Sequence, residues 1–131
     1  MAGFLLDSSV LIDYLRANPE VVAKLDALEE ASETLAICAI NVAEVFAGMR
    51  EPERGVTEDW LSSLAWLDIS YDIAQASGEA QAALRRSGKT VHLSDVVIGC
   101  VARANDAILL TDNVSDFSLP GLLVERLPSA R

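Results

Sequence analysis

The sequence predicts an α/β fold in which helices flank a mostly parallel central sheet of about five strands. Three observations predict it. Short apolar runs bounded by turn and helix-start residues recur along the chain, at 3–6, 34–39, 65–69, 107–110 and 122–125. Segments with helical spacing separate these runs, and strands that alternate with helices build parallel sheets. Hydrophobic residues make up 51% of 131 residues, with only four prolines and seven glycines, so one domain spanning 1–131 can bury a core, and the composition argues against a disordered or low-complexity protein.

The elements follow in order. Gly3 to Leu6 reads as a buried strand, and Asp7-Ser8-Ser9 behind it as helix-start residues. Val10 to Ala17 is helical and stops near Asn18-Pro19. Val21, Leu25 and Leu28 share one helical face. Thr34 to Ala39 is a second buried strand, and Asn41 opens a helix that ends near Gly48. Glu51-Pro52-Glu53-Arg54-Gly55 is a loop, Thr57 to Leu64 a helix and Ala65 to Ile69 a third strand, with Trp66 assigned to the core. Asp72 to Ser87 is a long helix whose Arg85 and Arg86 suit the negative end of its dipole; Gly88 stops it. Ser94 to Asn105 is apolar on both faces and therefore deeply buried. Ala107 to Leu110 and, after Pro120-Gly121, Leu122 to Glu125 are the last strands.

Twenty acidic against ten basic residues give a net charge of −10. Alone, this opposes nucleic-acid binding, which needs Lys and Arg on phosphates. A solvated acidic surface explains it simply. A carboxylate site holding a divalent cation, or a basic partner, would reconcile it with an RNA substrate. The first residues carry no basic region and meet Asp7 at once, unlike a signal peptide, and no apolar run approaches the roughly 18 residues of a membrane span, so a cytoplasmic location is expected. Cys38 and Cys100 lie in apolar runs without C-x-x-C spacing and read as reduced core thiols.

Four regions carry an acid at an element boundary: Asp7, Glu44, Asp95, and the pair Asp112 and Asp116. Each has an ordinary structural use. Asp7 can cap a helix, Asn41 to Glu44 has capping-box spacing, Asp95 suits a helix N-terminus, and Thr111 to Asp116 is turn chemistry. Together they favour function, because unpaired carboxylates beside a core are costly and a divalent cation accounts for all of them. Hard oxygen donors suit Mg²⁺ or Mn²⁺. Ligands of open α/β sheets bind beyond the strand carboxyl ends, where Asp7 and Asp112 would meet if their strands are neighbours.

The order of Phe4-Leu5-Leu6-Asp7-Ser8-Ser9-Val10-Leu11-Ile12, Asn41-Val42-Ala43-Glu44-Val45-Phe46-Ala47-Gly48, Ser94-Asp95-Val96-Val97-Ile98-Gly99 and Leu110-Thr111-Asp112-Asn113-Val114-Ser115-Asp116-Phe117 resembles the PIN-domain family, and within it the VapC-like toxins. The resemblance spans essentially the whole chain and implies a three-layer fold and a Mg²⁺- or Mn²⁺-dependent endoribonuclease, the toxin of a type II toxin–antitoxin pair. It implies an acidic site of Asp7, Glu44, Asp95 and Asp116, with Asp7 and Asp95 as the main metal ligands. Asp112 rivals Asp116 for the fourth acid. Asn113 stands where relatives can carry an aspartate and offers only an amide oxygen, and Thr111 resembles the family's small hydroxyl residue beside the metal or attacking water. The resemblance further implies a homodimer and a VapB-like antitoxin that covers the site, often with an Arg or Lys entering the carboxylates; a net charge of −10 suits a basic segment of such a partner.

His92 reads as a loop residue outside the site; Arg16, Arg50, Arg54, Arg85 and Arg86 are candidate RNA phosphate contacts, most of them read as solvated surface charges. Two other classes fit less well. A phosphatase with a nucleophilic aspartate usually carries a second acid two residues on, where this chain has Ser9. A receiver-like module needs a lysine after a strand, and neither Lys24 nor Lys89 is so placed. A catalytically inactive PIN-fold interaction module is the remaining alternative, left open by Asn113.

Overall fold

The structure, a computed structural model, describes residues 3–127. Met1, Ala2 and 128–131, which the single-domain expectation also covers, lie outside them. Five strands, β1 (Phe4–Leu6), β2 (Leu35–Ile37), β3 (Ala65–Trp66), β4 (Ile108–Thr111) and β5 (Val124–Arg126), form one sheet in the order β3-β2-β1-β4-β5. Every pairing is parallel, so the sheet is fully rather than mostly parallel. Six α-helices connect the strands: α1 (Ser8–Leu15), α2 (Pro19–Glu30), α3 (Ala39–Gly48), α4 (Arg54–Ser63), α5 (Tyr71–Arg86) and α6 (Leu93–Ala104).

The period of two along β1 divides the core. Phe4 and Leu6 face one side of the sheet and pack with Val10 and Leu11 of α1, Val21 and Leu25 of α2, Val45 of α3 and Leu61 of α4. Leu5 faces the other side and packs with Ile98, Val101 and Ala102 of α6. Burial on both faces explains why the strands read as continuous apolar runs. Val96, Cys100 and Leu119 pack with Ala80 and Leu84, tying α5 to α6. Six residues of α6 are buried, as its two apolar faces predict.

Local chemistry sets the helix ends. Asn18 Oδ1 accepts from the backbone N–H groups of Glu20 and Val21 ahead of Pro19, and Ser70 Oγ accepts from Ile73. Past α5, the Lys89 N–H donates to Leu84 and the Gly88 N–H to Arg85, with Gly88 at φ 85°, a conformation that glycine adopts without strain.

Three local expectations are corrected. Helix α3 begins at Ala39 rather than Asn41, because Cys38 leaves β2 extended and becomes the N-cap. The loop expected at 51–55 is a 3₁₀ turn, Glu51–Glu53, that runs directly into α4, held by ion pairs of Arg54 with Glu51 and Glu58 at 3.0 and 3.2 Å. Trp66 is not in the core. It lies on edge strand β3, 52% exposed, with its indole N–H donating to Asp68 at 2.7 Å. Cys38 and Cys100 are both buried and unpaired.

Candidate active site

Strand order reverses about β1, which has β2 on one side and β4 on the other. The crevice beyond the carboxyl ends of β1 and β4 is where such sheets bind ligands. Asp7 follows β1 directly, and its backbone N–H donates to Leu110 of β4 at 3.0 Å. It caps α1, with Oδ1 accepting from the Ser8 N–H at 2.8 Å. Its Oδ2 accepts from the Thr111 hydroxyl at 2.7 Å and faces the Ser9 hydroxyl at 3.2 Å. Thr111 Oγ1 itself accepts from the Asn113 N–H at 3.0 Å, so its one proton is committed to Asp7. The Ser9 hydroxyl also reaches Asp112 Oδ1 at 2.9 Å, one proton between two carboxylates.

The other acids arrive from separate elements. Glu44 sits in the second turn of α3 and accepts from the Ser8 hydroxyl at 2.7 Å. Asp95 is in the first turn of α6. Asp116 ends the 3₁₀ turn Val114–Asp116, and its carboxylate accepts from the Asn113 side-chain amide. Asp7, Glu44, Asp95, Asp112, Asn113 and Asp116 all line one open cleft of about 720 Å³. Of the sequence-derived candidates only Thr111 lies off its wall, fully buried beneath Asp7. Among the described residues, Arg16 is the one basic side chain lining it. Arg50 and Arg54 are engaged with Glu53, Glu51 and Glu58 instead.

Two of these acids hold their protons unusually tightly. Burial raises the pKa of Asp7, with repulsion from Glu44 adding to it; hydrogen bonds from Thr111, Ser8 and Ser9 oppose the rise. Asp95 is pushed up to about 6, first by burial and then by the charges of Asp7, Asp116 and Glu44, with His92 opposing. Among the described residues, no Lys or Arg forms an ion pair with Asp7, Glu44, Asp95 or Asp116. The site is therefore a ring of oxygen donors with an excess of negative charge.

That donor chemistry fits a hard divalent cation. Among the described residues, no three His, Cys, Asp or Glu side chains close into a ready cage. Mg²⁺ suits such a ring, because it keeps several waters and uses one or two carboxylates plus substrate phosphate oxygens.

The sequence reading missed Ser8, Ser9 and Asn41. Ser8 and Ser9 were visible only as helix-start residues behind a strand. The spacing of Asn41 and Glu44 predicts N-cap and N3, but Cys38 is the N-cap and Asn41 is N3, so a capping box does not explain Glu44. His92 precedes α6 and does not line the cleft, as its reading as a loop residue outside the site expects, yet it lies near enough to Asp95 to oppose the rise of its pKa.

The PIN domain profile matches residues 4–118. Ribonuclease VapC19 of Mycobacterium tuberculosis is 31% identical over 115 residues, covering 88% of this chain and 92% of that one. The tRNA(fMet)-specific endonuclease VapC of Salmonella typhimurium is 28% identical over 131 residues, covering 95% and 98%. Among solved structures, VapBC2 from Rickettsia felis bound to a DNA fragment from its promoter superposes with a TM-score of 0.84 at 25% identity, covering 97% and 99%. A toxin–antitoxin complex from Klebsiella pneumoniae superposes with a TM-score of 0.74 at 28% identity, covering 92% and 96%.

Proposed function

Because this chain belongs to the PIN-domain family and, within it, to the VapC ribonucleases, we propose that it is the toxin of a type II toxin–antitoxin pair, a Mg²⁺- or Mn²⁺-dependent endoribonuclease acting through Asp7, Glu44, Asp95 and Asp116. The observation that carries this reading is the convergence of these four carboxylates, from four separate elements, on one cleft at the sheet's switch point. Proteins keep such a costly arrangement where function requires it.

Asp7 and Asp95 would hold the cation, with Glu44 and Asp116 reaching it directly or through water. When bound, it supplies a Lewis acid for a phosphate oxygen and lowers the pKa of an attacking water. The residues themselves do the positioning. Thr111 and the Ser8 N–H fix the rotation of the Asp7 carboxylate. Asp116 takes the fourth position, supported by its repulsion of Asp95, while Asp112 is tied through Ser9 to Asp7. Glu44 reaches into the cleft from the α3 side and accepts the proton of the attacking water, a general base within the same ring. Attack by water rather than by the 2′-hydroxyl leaves 5′-phosphate and 3′-hydroxyl ends. Arg16 at the rim is suited to an RNA phosphate.

The partner assignments belong to the same reading: a homodimer, and a VapB-like antitoxin that covers the acidic cleft with a basic segment. The solved relatives, a VapBC complex and a toxin–antitoxin complex, support the antitoxin partner. A cytoplasmic location belongs to the same reading; no helix of the described residues is long and apolar enough to cross a membrane.

The test is cleavage of total bacterial RNA by the wild type and Asp95→Asn in Mn²⁺, Mg²⁺ or EDTA, with the fragment ends mapped. Discrete cleavage by the wild type alone, abolished by EDTA, is expected. Equal cleavage by both proteins, or 2′,3′-cyclic phosphate ends, would overturn the mechanism. A gel-filtration mass of a monomer at micromolar concentration would overturn the homodimer.

A further inference from the structure

A buried hydrogen-bond relay runs from the end of β2 into the cleft. Asn41 is wholly buried, and its side chain joins two groups whose donor and acceptor roles are fixed. The backbone N–H of Cys38 can only donate, and it donates to Asn41 Oδ1 at 2.9 Å; the Cys38 thiol adds a second contact to the same oxygen at 3.3 Å. The oxygen of the amide therefore faces Cys38, and Nδ2 must face the other way. There it donates to Ser8 Oγ at 3.0 Å. A serine hydroxyl has one proton, and with Oγ accepting from Asn41 that proton is left to go elsewhere. It goes to Glu44 Oε1 at 2.7 Å. Each orientation dictates the next, so a backbone N–H at the end of a central strand sets the direction of a hydroxyl proton in the cleft.

We propose that Asn41 is a positioning residue for Glu44, acting through Ser8: it directs the Ser8 proton onto Glu44 Oε1, which fixes the carboxylate's rotation and leaves Oε2 for the water in the cleft. Among the described residues Oε2 receives no hydrogen bond. Freed from the relay, Ser8 can turn its proton elsewhere, and Glu44, on a flexible side chain and half-exposed, samples several rotations. The inference rests on the proposed role of Glu44 as general base. It also separates two uses of Asn41: holding the Cys38 N–H serves the start of α3, whereas holding Ser8 serves the site.

Ser8→Ala cuts the relay while leaving the Asn41–Cys38 contact in place. Asn41→Leu removes both contacts, and Ser8→Thr restores a hydroxyl. These variants and Glu44→Gln are compared on a fluorophore–quencher oligoribonucleotide carrying a site mapped on total bacterial RNA. Readouts are kcat, KM, Mn²⁺ affinity by calorimetry, and the solvent exchange of the Asn41 side-chain amide protons by NMR in metal-free protein. The expected result is a kcat on the order of 10- to 100-fold lower in Ser8→Ala and Asn41→Leu. KM and Mn²⁺ affinity stay within about twofold, Ser8→Thr recovers most of the rate, and amide exchange accelerates in Ser8→Ala. Unchanged kcat in Ser8→Ala while Glu44→Gln is inactive would overturn the relay. So would a loss confined to KM, which would make Ser8 a substrate contact. Full activity in Glu44→Gln would instead overturn the role of Glu44. Should Asn41→Leu fail to fold, Ser8→Ala alone decides.

Discussion

Replacing Asp95 with asparagine is expected to make the metal-free protein more stable, not less. The side chain keeps its shape and loses its charge. In the folded state that charge is opposed by burial and by Asp7, Asp116 and Glu44, which raise the pKa from 3.8 to about 6. A raised carboxyl pKa means that the native state binds the proton more tightly than the unfolded chain. Stability therefore falls as pH rises through this window: the penalty is absent below about 3.8, grows between 3.8 and 6, and is complete above 6. Two pKa units correspond to about 3 kcal/mol. Asp95 borders an open cleft, where solvent screens the repulsion, so about 1–2 kcal/mol is the expected net effect. That raises Tm by roughly 3–10 °C for a chain of this size. The assay is urea denaturation in EDTA across about pH 4 to 8. Asp95→Asn should lead by the full amount near pH 7.5 and by less than about a quarter of it near pH 4. Adding Mg²⁺ should stabilise the wild type more than the variant, closing the gap, because a ligand stabilises the state that binds it. A variant no more stable than the wild type at pH 7.5, or a gap independent of pH, would refute the reasoning.

Further outcomes follow from single contacts. Thr111→Val removes the 2.7 Å donation to Asp7 in a fully buried setting; it should cost about 1–3 kcal/mol by denaturation. Because that donation lowers the Asp7 pKa, its loss should also move the acid limb of the pH–rate profile to higher pH. Arg16→Ala should weaken RNA binding evenly across sequences and flatten its salt dependence, as read by filter binding in the Asp95→Asn background. Gly99→Val should destabilise by about 1–3 kcal/mol, because a Cβ at Gly99 would lie 2.7 Å from Leu119 Cδ1 and 3.3 Å from Leu122 Cδ2. An unchanged Tm would mean that the segment after β4 gives way freely.

Much of the fold was legible because its signals are local. Three strands appear as apolar runs since both faces of β1, β2 and β4 are buried, and the pattern therefore needs no knowledge of partners. The end of α5 was legible in Gly88. Trp66 was not, because exposure on an edge strand depends on which strand lies at the edge. The start of α3 was misplaced because Asn41 is a favoured N-cap residue, while Cys38 takes the cap through the extended backbone it inherits from β2.

By itself the sequence determined the alternation of strand and helix and the acidic residues at strand and helix ends, and its four motifs carried the resemblance to the family. Composition and spacing along the chain suffice for the first two. Only the tertiary structure decided that β1 and β4 are neighbours, which brings Asp7 beside Thr111 and Ser9 beside Asp112 across more than a hundred residues. It also decided that Asn41 points at Ser8 and not merely at its own helix start. Hydrogen-bond direction depends on every donor and acceptor in reach, and those neighbours exist only once the sheet has ordered its strands.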